Sequence, residues 1–185
     1  MKILVVVDMQ NDFIDGTLKN EQGMQIVNNV VKKINQYKEN GDLILYTMDT
    51  HEENYLETQE GKNLPVAHCI KNTPGWYLNE RVDEALPDEA ECYVKPTFGS
   101  VELAKSIKIA EYNTTIEEIE FVGLCTDICV LSNVALTKAY VPEVQITVDA
   151  ACCAGVTPES HDTALNAMKM IQVNVVNQGK EPWRK

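Results

Sequence analysis

Two cysteines stand four positions apart, with an acid between them, in the stretch GLCTDICV (Gly123–Val130). A thiolate is a nucleophile, and the positive end of a helix dipole stabilises it. Cys129 falls about one turn inside a predicted helix whose cap is Thr126 or Asp127. Cys125 precedes that cap, on the turn itself. The pattern therefore favours Cys129 as a nucleophile and brings the backbone N–H of Cys125 into the same space.

The remaining cysteines have less specific surroundings in the sequence. A lone cysteine is most often a small buried apolar residue, and we predict that role for Cys92, Cys152 and Cys153. Cys69 follows His68 directly, which leaves open a position near a metal. The four-residue spacing in GLCTDICV does not match the C-x-x-C arrangement of redox proteins, which disfavours a redox role.

Charged side chains stand at the ends of three predicted strands. Asp8 ends the first strand, Asp49 the second and Lys95 the third. The carboxyl ends of parallel strands share one edge of a sheet, and open α/β folds bind ligands there. A single acid at a strand end most often binds loop amides or caps the next element. The whole set at one edge instead predicts an active site.

A second group of residues has the composition of a metal site. Asp49, His51 and His68 offer one carboxylate and two imidazoles, which suit Zn²⁺, Mn²⁺ or Fe²⁺ with positions left open for water or substrate. The Asp-x-His spacing is explained equally well by a hydrogen-bonded pair. Two of the three histidines in the chain belong to this group, however. The third, His161, is predicted to be a surface or helix-capping residue.

The elements that must position these residues alternate along the chain. Short apolar runs rich in β-branched residues predict strands, at Lys2–Asp8, Leu43–Asp49, Cys92–Lys95, Ile119–Leu124, Val144–Ala150 and Val173–Val176. Helical spacing of apolar residues predicts helices, at Glu21–Asn40, from Ser100 to about Tyr112, after the fourth strand to Ala139, and from about Pro158 to Met170. Gly41 is the predicted stop of the first of these helices.

Alternation of strands and helices defines the fold class. It predicts an α/β domain of three α/β/α layers, with a doubly wound, mainly parallel six-stranded sheet, and a single domain over residues 1–185. The stretch His51–Leu78 has no clear periodicity, and a connection of that length is usually functional or locally structured. The polar tail that begins at Gln178 is predicted to drape over the surface.

Composition excludes several classes of partner. The formal net charge of −12 argues against nucleic acid and against anionic membrane surfaces. The apolar run at the start ends at Asp8, which is too short for a secretion signal, and no later stretch is long enough to span a bilayer. We therefore expect a cytoplasmic protein with free thiols.

Five segments together carry a resemblance to a known family. They are VVVDMQNDF (Val5–Phe13), DTH (Asp49–His51), LPVAHCI (Leu64–Ile70), KPTFGS (Lys95–Ser100) and GLCTDICV. In this order they resemble the nicotinamidase/isochorismatase-like cysteine hydrolases, most closely the nicotinamidase (pyrazinamidase) branch. The match is collinear from near the first residue to about position 163. DxQNDF and GxxTDxCV with a lysine between them are specific together, although neither is specific alone.

The resemblance implies a hydrolase of linear amides, most closely a nicotinamidase that converts nicotinamide to nicotinate and ammonia in NAD salvage. It implies a catalytic triad of Asp8, Lys95 and Cys129, with a thioester on Cys129. It also implies a cis peptide bond between Leu124 and Cys125, which turns the backbone amides of Cys125 and Cys129 toward one oxyanion hole. The family further suggests a homodimer or a higher homo-oligomer.

In the nicotinamidase branch a divalent metal, most often zinc, orients the substrate ring. The resemblance places it on Asp49, His51 and His68, and either Glu60 or Glu57 is a candidate fourth ligand. Many nicotinamidases carry a stacking aromatic residue shortly before the second histidine, where this chain has Pro65 and Val66. The remaining candidates for substrate contact are Phe13, Leu124 and Phe98, with Trp76 as a further aromatic.

Two other functions remain as alternatives. The nearest is a cysteine hydrolase of another small amide, such as an N-carbamoyl or ureido compound; such relatives often lack the Asp–His–His set. A catalytically silent metal- or ligand-binding relative is the second, because a fold does not determine a function. The vinyl-ether activity of isochorismatases proper is disfavoured, because those enzymes lack the nucleophilic cysteine that this chain has at position 129.

Overall fold

A computed structural model describes residues 1–184 as a six-stranded parallel sheet with helices on both faces. All five strand pairs are parallel, which sharpens the prediction of a mainly parallel sheet. The strand order is β3-β2-β1-β4-β5-β6. The strands are β1 (Lys2–Val7), β2 (Leu43–Asp49), β3 (Glu91–Lys95), β4 (Glu118–Leu124), β5 (Gln145–Ala154) and β6 (Asn174–Val176). The chain is wound first to one side of β1 and then to the other.

Seven α-helices connect the strands. They are α1 (Asn11–Ile14), α2 (Glu21–Asn40), α3 (Gln59–Asn63), α4 (Glu80–Ala85), α5 (Val101–Asn113), α6 (Leu131–Tyr140) and α7 (Pro158–Met170). A 3₁₀ turn at Tyr55–Glu57 and a π-helical turn at Thr126–Val130 complete the structure. The 51–78 connection therefore contains short helices of its own, as its length predicts.

The core lies on both faces of the sheet, because successive side chains of a strand point to opposite faces. On β1, Ile3, Val5 and Val7 pack with α5, α6 and α7. The alternate residues Leu4 and Val6 pack with α2 and α4. All five are fully buried, which explains why β1 reads as a continuous apolar run.

The predicted bounds of α2 are confirmed at both ends. Asn20 caps the first turn by accepting hydrogen bonds from the backbone N–H groups of Gln22 and Gly23. Gly41 closes the last turn with φ 71°, the left-handed conformation that glycine adopts readily. The helix therefore starts and stops where local chemistry directs it.

Two expectations about the cysteines and strands are corrected. β5 extends to Ala154 rather than to Ala150. Cys152 and Cys153 therefore lie inside a central strand, and both are buried as predicted. Cys92 is exposed and not a buried apolar residue. The reason is topological, because β3 is an edge strand of the sheet.

Within the described residues 1–184, no helix is both long enough and apolar enough to cross a membrane.

Candidate active site

The carboxyl ends of four neighbouring strands meet at one edge of the sheet. Asp8 directly follows β1, Asp49 and Lys95 end β2 and β3, and Leu124 ends β4. The chain reverses its winding between β1 and β4, which makes this edge a topological switch point. The strand ends thus bring together the charged residues that the sequence predicts to form an active site.

Lys95 is the centre of this arrangement. Its Nζ lies 2.6 Å from Asp8 Oδ2, 3.2 Å from Asp49 Oδ1 and 3.6 Å from Cys129 Sγ. The side chain is only 1% exposed. Burial lowers the pKa of this ammonium, but the negative charges of Asp8 and Asp49 outweigh burial and raise the pKa above its usual value. Lys95 therefore stays protonated and holds the other groups in place.

Asp8 is a fully buried carboxylate with a strained backbone. Its φ of 46° lies in the left-handed region, which non-glycine residues adopt mainly where the surroundings enforce it. Oδ1 accepts a 2.6 Å hydrogen bond from the hydroxyl of Thr47. Oδ2 pairs with the charge of Lys95 but has no hydrogen bond of good geometry. Burial raises the pKa of Asp8 despite Lys95, which suits a group that must accept a proton.

Cys129 lies in the π-helical turn at the end of β4, not in a regular helix capped by Thr126 or Asp127. Cys125 is the capping residue, and no side chain caps the turn. The Asp127 carboxylate instead accepts the backbone N–H of Val156. Burial, reinforced by the charge of Asp8, raises the pKa of Cys129 well above that of a free thiol. Formation of its thiolate therefore needs a proton acceptor.

Asn133 connects the cysteine turn to the segment that follows Lys95. Its Nδ2 donates to the carbonyl oxygens of Cys129, at 2.8 Å, and Phe98, at 3.2 Å. Its Oδ1 accepts the backbone N–H of Ser100 at 2.9 Å, and the Ser100 hydroxyl caps α5. The sequence analysis did not single out Asn133, because an asparagine inside a helix carries no motif.

The peptide bond between Leu124 and Cys125 is cis, as the family resemblance implies. The Cys125 carbonyl accepts the N–H groups of Ile128 and Val130, at 3.1 Å each. Burial raises the pKa of the Cys125 thiol to about 12, so it is a neutral group at the cavity wall. An oxyanion hole made by the amides of Cys125 and Cys129 stays a prediction.

Four side chains next to this centre converge as a metal site would require. Nε2 of His51 lies 3.0 Å from Asp49 Oδ2 and 3.6 Å from Glu60 Oε1, and Nε2 of His68 lies 3.5 and 3.8 Å from the same atoms. Ligands of a tetrahedral zinc ion stand ~3.3 Å apart. Glu57 is exposed on the 3₁₀ turn, so Glu60 is the glutamate that joins the three predicted donors.

The chemistry of the donor atoms also fits a cation. His68 Nδ1 lies 2.8 Å from the Val66 carbonyl, which only accepts; Nδ1 therefore carries a proton, and Nε2 is the ring nitrogen that faces Asp49 and Glu60. His51 Nε2 is buried without a hydrogen-bond partner. Burial raises the pKa of Asp49, but the two imidazoles and Lys95 outweigh it and lower the pKa below the usual range, so this carboxylate is charged.

Tyr55 packs against both imidazoles, with ring centroids 4.6 Å from His51 and 4.9 Å from His68. Its hydroxyl donates to the Leu64 carbonyl at 3.0 Å. The sequence analysis missed this residue, because Tyr55 stands in a stretch without periodicity. An aromatic residue shortly after a suspected ligand is the signal that would have found it.

Both groups open onto one cavity of about 490 Å³. Phe13 and Phe98 line it, together with Cys125, Cys129 and the metal-facing residues Asp49, Glu60 and His68. Leu124 is not among the lining residues, because its side chain is fully buried in the core against α2, and its contact with a substrate stays a prediction. Trp76 also lies elsewhere and donates its indole N–H to the Thr50 hydroxyl.

The predictions for His161 and for the tail are both corrected by the structure. His161 is fully buried in the first turn of α7; its Nδ1 meets the Thr126 hydroxyl at 2.7 Å and its Nε2 meets Glu181 at 3.2 Å. Trp183 packs against its ring. The tail therefore does more than drape over the surface, because Glu181 and Trp183 extend the packing behind the cysteine turn. The burial of Glu181 was not predicted, because a glutamate in a polar segment is usually exposed.

A model of the isochorismatase domain matches residues 2–178, and the chain belongs to the isochorismatase family. The six-stranded parallel sheet with helices on both faces is the fold of the isochorismatase-like hydrolases. Pyrazinamidase of Pyrococcus horikoshii, solved in complex with zinc, is 29% identical with a TM-score of 0.81, and the match covers 95% of this chain and 98% of that one.

Two curated relatives carry different descriptions. An uncharacterized isochorismatase family protein PncA from Bacillus subtilis is 29% identical over 175 residues, which cover 89% of this chain and 92% of the relative. A probable inactive nicotinamidase from Arabidopsis thaliana is 28% identical over 181 residues, which cover 92% and 89%. The similarities support an amidohydrolase of this family, and the choice of substrate depends on the site.

Proposed function

We propose that this protein is a metal-assisted cysteine amidohydrolase that converts nicotinamide and water to nicotinate and ammonia. One observation carries the proposal: the Lys95 ammonium lies within 3.6 Å of Asp8, Asp49 and Cys129. Of these residues, Cys129 and Asp49 line a cavity that the metal donors Glu60 and His68 also line. Nucleophile, base and substrate anchor are thus adjacent. The similarity to a pyrazinamidase solved with zinc supports the same activity.

The reaction begins with transfer of the Cys129 thiol proton to Asp8, because the raised pKa of Cys129 keeps it protonated at rest. The thiolate then attacks the amide carbon, and the amides of Cys125 and Cys129 stabilise the oxyanion, by a few kcal/mol for each donor. Asp8 returns the proton to the leaving nitrogen, and ammonia departs from a thioester. Asp8 next removes a proton from water, which cleaves the thioester and frees the thiol.

Asp49, His51, Glu60 and His68 would hold the divalent metal, for which zinc is our first choice and manganese or iron the others. A metal held there would supply a Lewis acid for the pyridine nitrogen and would so help to orient the ring. Phe13 and Phe98 offer the apolar walls that an aromatic ring needs. Lys95 connects the two groups, because it touches Asp49 as well as Asp8.

A second candidate is the hydrolysis of another small amide, such as an N-carbamoyl or ureido compound. It is favoured by the exposed aliphatic residues Pro65 and Val66 where many nicotinamidases have an aromatic residue. The triad chemistry is the same in both candidates, and only the group that the cavity must hold differs. Under either candidate we propose a cytoplasmic, single-domain homo-oligomer, which sedimentation equilibrium would test.

The proposal is tested by measuring ammonia release from nicotinamide, before and after chelation and after zinc is added back. We expect turnover that is lost on chelation and restored by zinc. Cys129→Ala should abolish turnover in folded protein, whereas Cys125→Ala should keep most of it, because only the backbone of Cys125 is proposed to act. No ammonia from zinc-loaded wild type would contradict the nicotinamidase proposal. Turnover by Cys129→Ala would contradict the nucleophile in both candidates.

A further inference from the structure

One buried carboxylate near the site has no part in the proposed reaction. Asp12, in α1, is 7% exposed, and both of its oxygens accept backbone N–H groups. Oδ1 accepts from Thr17 at 3.1 Å, which is a local turn contact. Oδ2 accepts from Cys69 at 2.8 Å, across 57 positions of sequence. The second bond therefore ties α1 to the loop that carries His68.

Cys69 leads from Asp12 to both histidines. It directly follows His68, and its φ of 46° is a left-handed conformation that a non-glycine residue keeps only when it is held. Its carbonyl accepts the backbone N–H of His51 at 3.0 Å, and the His51 carbonyl accepts that of Lys71 at 2.9 Å. Asp12 thus binds the N–H of the peptide between His68 and Cys69. The carbonyl of the same Cys69 binds the backbone of His51.

Gly75 fixes the position of the carboxylate from the other side. The backbone N–H of Asp12 donates to the Gly75 carbonyl at 2.9 Å. A Cβ atom at position 75 would stand 2.2 Å from Asp12 Cγ and from Oδ2. Real Cβ atoms do not come that close to other atoms, so the backbone of Gly75 packs directly on the carboxylate and leaves it no freedom to move.

We propose that Asp12 is a positioning residue of the metal centre: it sets the loop that aligns His51 and His68. The inference rests on the proposed metal site. A carboxylate suits this role better than an amide, because both oxygens accept N–H groups and an asparagine has only one acceptor. Partners that orient metal ligands typically change metal affinity by 10–100-fold when they are removed.

Asp12→Asn is the first test, with Asp15→Asn as the matched control. Asp15 is an exposed acid at the end of the same helix, so its replacement removes the same charge without touching Cys69. The dissociation constant for zinc is measured by competition with a chromophoric chelator, in reduced protein. We expect roughly 10–100-fold weaker binding for Asp12→Asn and wild-type affinity for Asp15→Asn.

Gly75→Ala probes the same contact while keeping the charge, because the added methyl group must push the carboxylate away. We expect weaker zinc binding here too, which decides the question if Asp12→Asn does not fold. Turnover of either variant should recover at saturating zinc, which a general folding defect would not allow.

The outcomes separate this inference from the proposed function. Weak zinc binding by folded Asp12→Asn and Gly75→Ala, beside tight binding by wild type, supports the positioning role. Wild-type affinity in both variants overturns it and leaves the metal centre standing. A wild-type chain that binds no zinc at all contradicts the metal centre, and the positioning role with it.

Discussion

Two clusters of histidine and carboxylate residues lie within residues 1–184, and in each the side-chain donor atoms come within 4.8 Å of one another. The first consists of Asp49, His51, Glu60 and His68 at the cavity. The second consists of His161, Asp162 and Glu181 behind the cysteine turn. Residue types, proximity and burial are similar in the two, so these properties do not tell which cluster holds a metal.

The difference lies in the lone pairs. Both ring nitrogens of His161 are engaged, by the Thr126 hydroxyl and by Glu181. The guanidinium of Arg184 contacts Asp162 and Glu181 together, so a cation of the chain itself already neutralises the second cluster. In the first cluster the Nε2 of His51 is buried without a hydrogen-bond partner.

This comparison teaches that a metal site is defined by donors that the protein leaves unsatisfied. A buried polar atom without a partner costs free energy and so needs an explanation, and a bound cation is one such explanation for a histidine beside carboxylates. The second cluster is a structural network with its own cation. In the first cluster Lys95 pairs with Asp49 Oδ1, but this contact leaves Nε2 of His51 without a hydrogen-bond partner.

The largest expected effect separates the two clusters directly. His51→Ala should lower zinc affinity by more than the ~100-fold upper range for outer partners, because a ligand itself is lost. His161→Ala should keep one zinc per chain. Native mass spectrometry of both variants measures the stoichiometry. Loss of zinc from folded His161→Ala, or its retention at wild-type affinity in His51→Ala, would reverse the assignment.

The second cluster should respond in stability instead. Glu181→Gln removes the charged partner of both His161 and Arg184, and we expect the free energy of unfolding to fall by about 2 kcal/mol. Urea denaturation of the zinc-free proteins measures this loss, and zinc affinity should not change. An unchanged unfolding midpoint would mean that the tail network is not stabilising.

A smaller effect should distinguish the two glutamates. Glu60 is the more distant donor, at 3.6 and 3.8 Å from the imidazole nitrogens, so Glu60→Gln should weaken zinc binding on the order of tenfold. Glu57→Gln is the control, because that residue is exposed on the neighbouring 3₁₀ turn. Equal zinc affinities for the two variants would remove Glu60 from the ligand set.

The smallest effect is a dependence of stability on pH. Burial lowers the pKa of His161 below the usual 6.5, although Glu181 opposes this shift. As pH falls below 6.5 the unfolded chain binds a proton that the folded chain does not, so this residue's contribution to stability declines. The advantage of wild type over His161→Gln in unfolding free energy should therefore shrink toward acid pH. An advantage that grew toward acid pH would mean that His161 is charged in the folded protein.

The sequence predicted the sheet well, because buried parallel strands differ sharply from their surroundings. β2 begins and ends at the predicted residues, and the other strands agree to within a few positions, except β5, which runs on to Ala154. The extension places Cys152 and Cys153 inside the strand, and a cysteine pair is not a strong strand signal. The exposure of Cys92 was not predicted, because the sequence does not show which strands pair and therefore which strand lies at the edge of the sheet.

The site was predictable only where residues follow strand ends. Asp8, Asp49 and Lys95 meet because parallel strands share an edge, and that rule needs only the order of elements. Glu60 could not be told from Glu57, because both lie in a stretch without periodicity. Short helices there turn one glutamate inward and leave the other exposed. Leu124 was assigned to the substrate by its place in the motif, whereas its side chain points into the core.

The sequence by itself determined the order of strands and helices, the residue types at each strand end and the family motifs, because these depend on local pattern and composition. Only the tertiary structure decided which lone pairs remain unsatisfied. Thr126, Glu181 and Arg184 satisfy the second cluster from distant parts of the chain. His51 Nε2 is left without a hydrogen-bond partner. Val66 and Tyr55 contact the imidazole rings away from Nε2, and Asp12 binds the backbone of the loop that carries His68. Hydrogen bonds between residues far apart in sequence carry that information, and no local pattern encodes it.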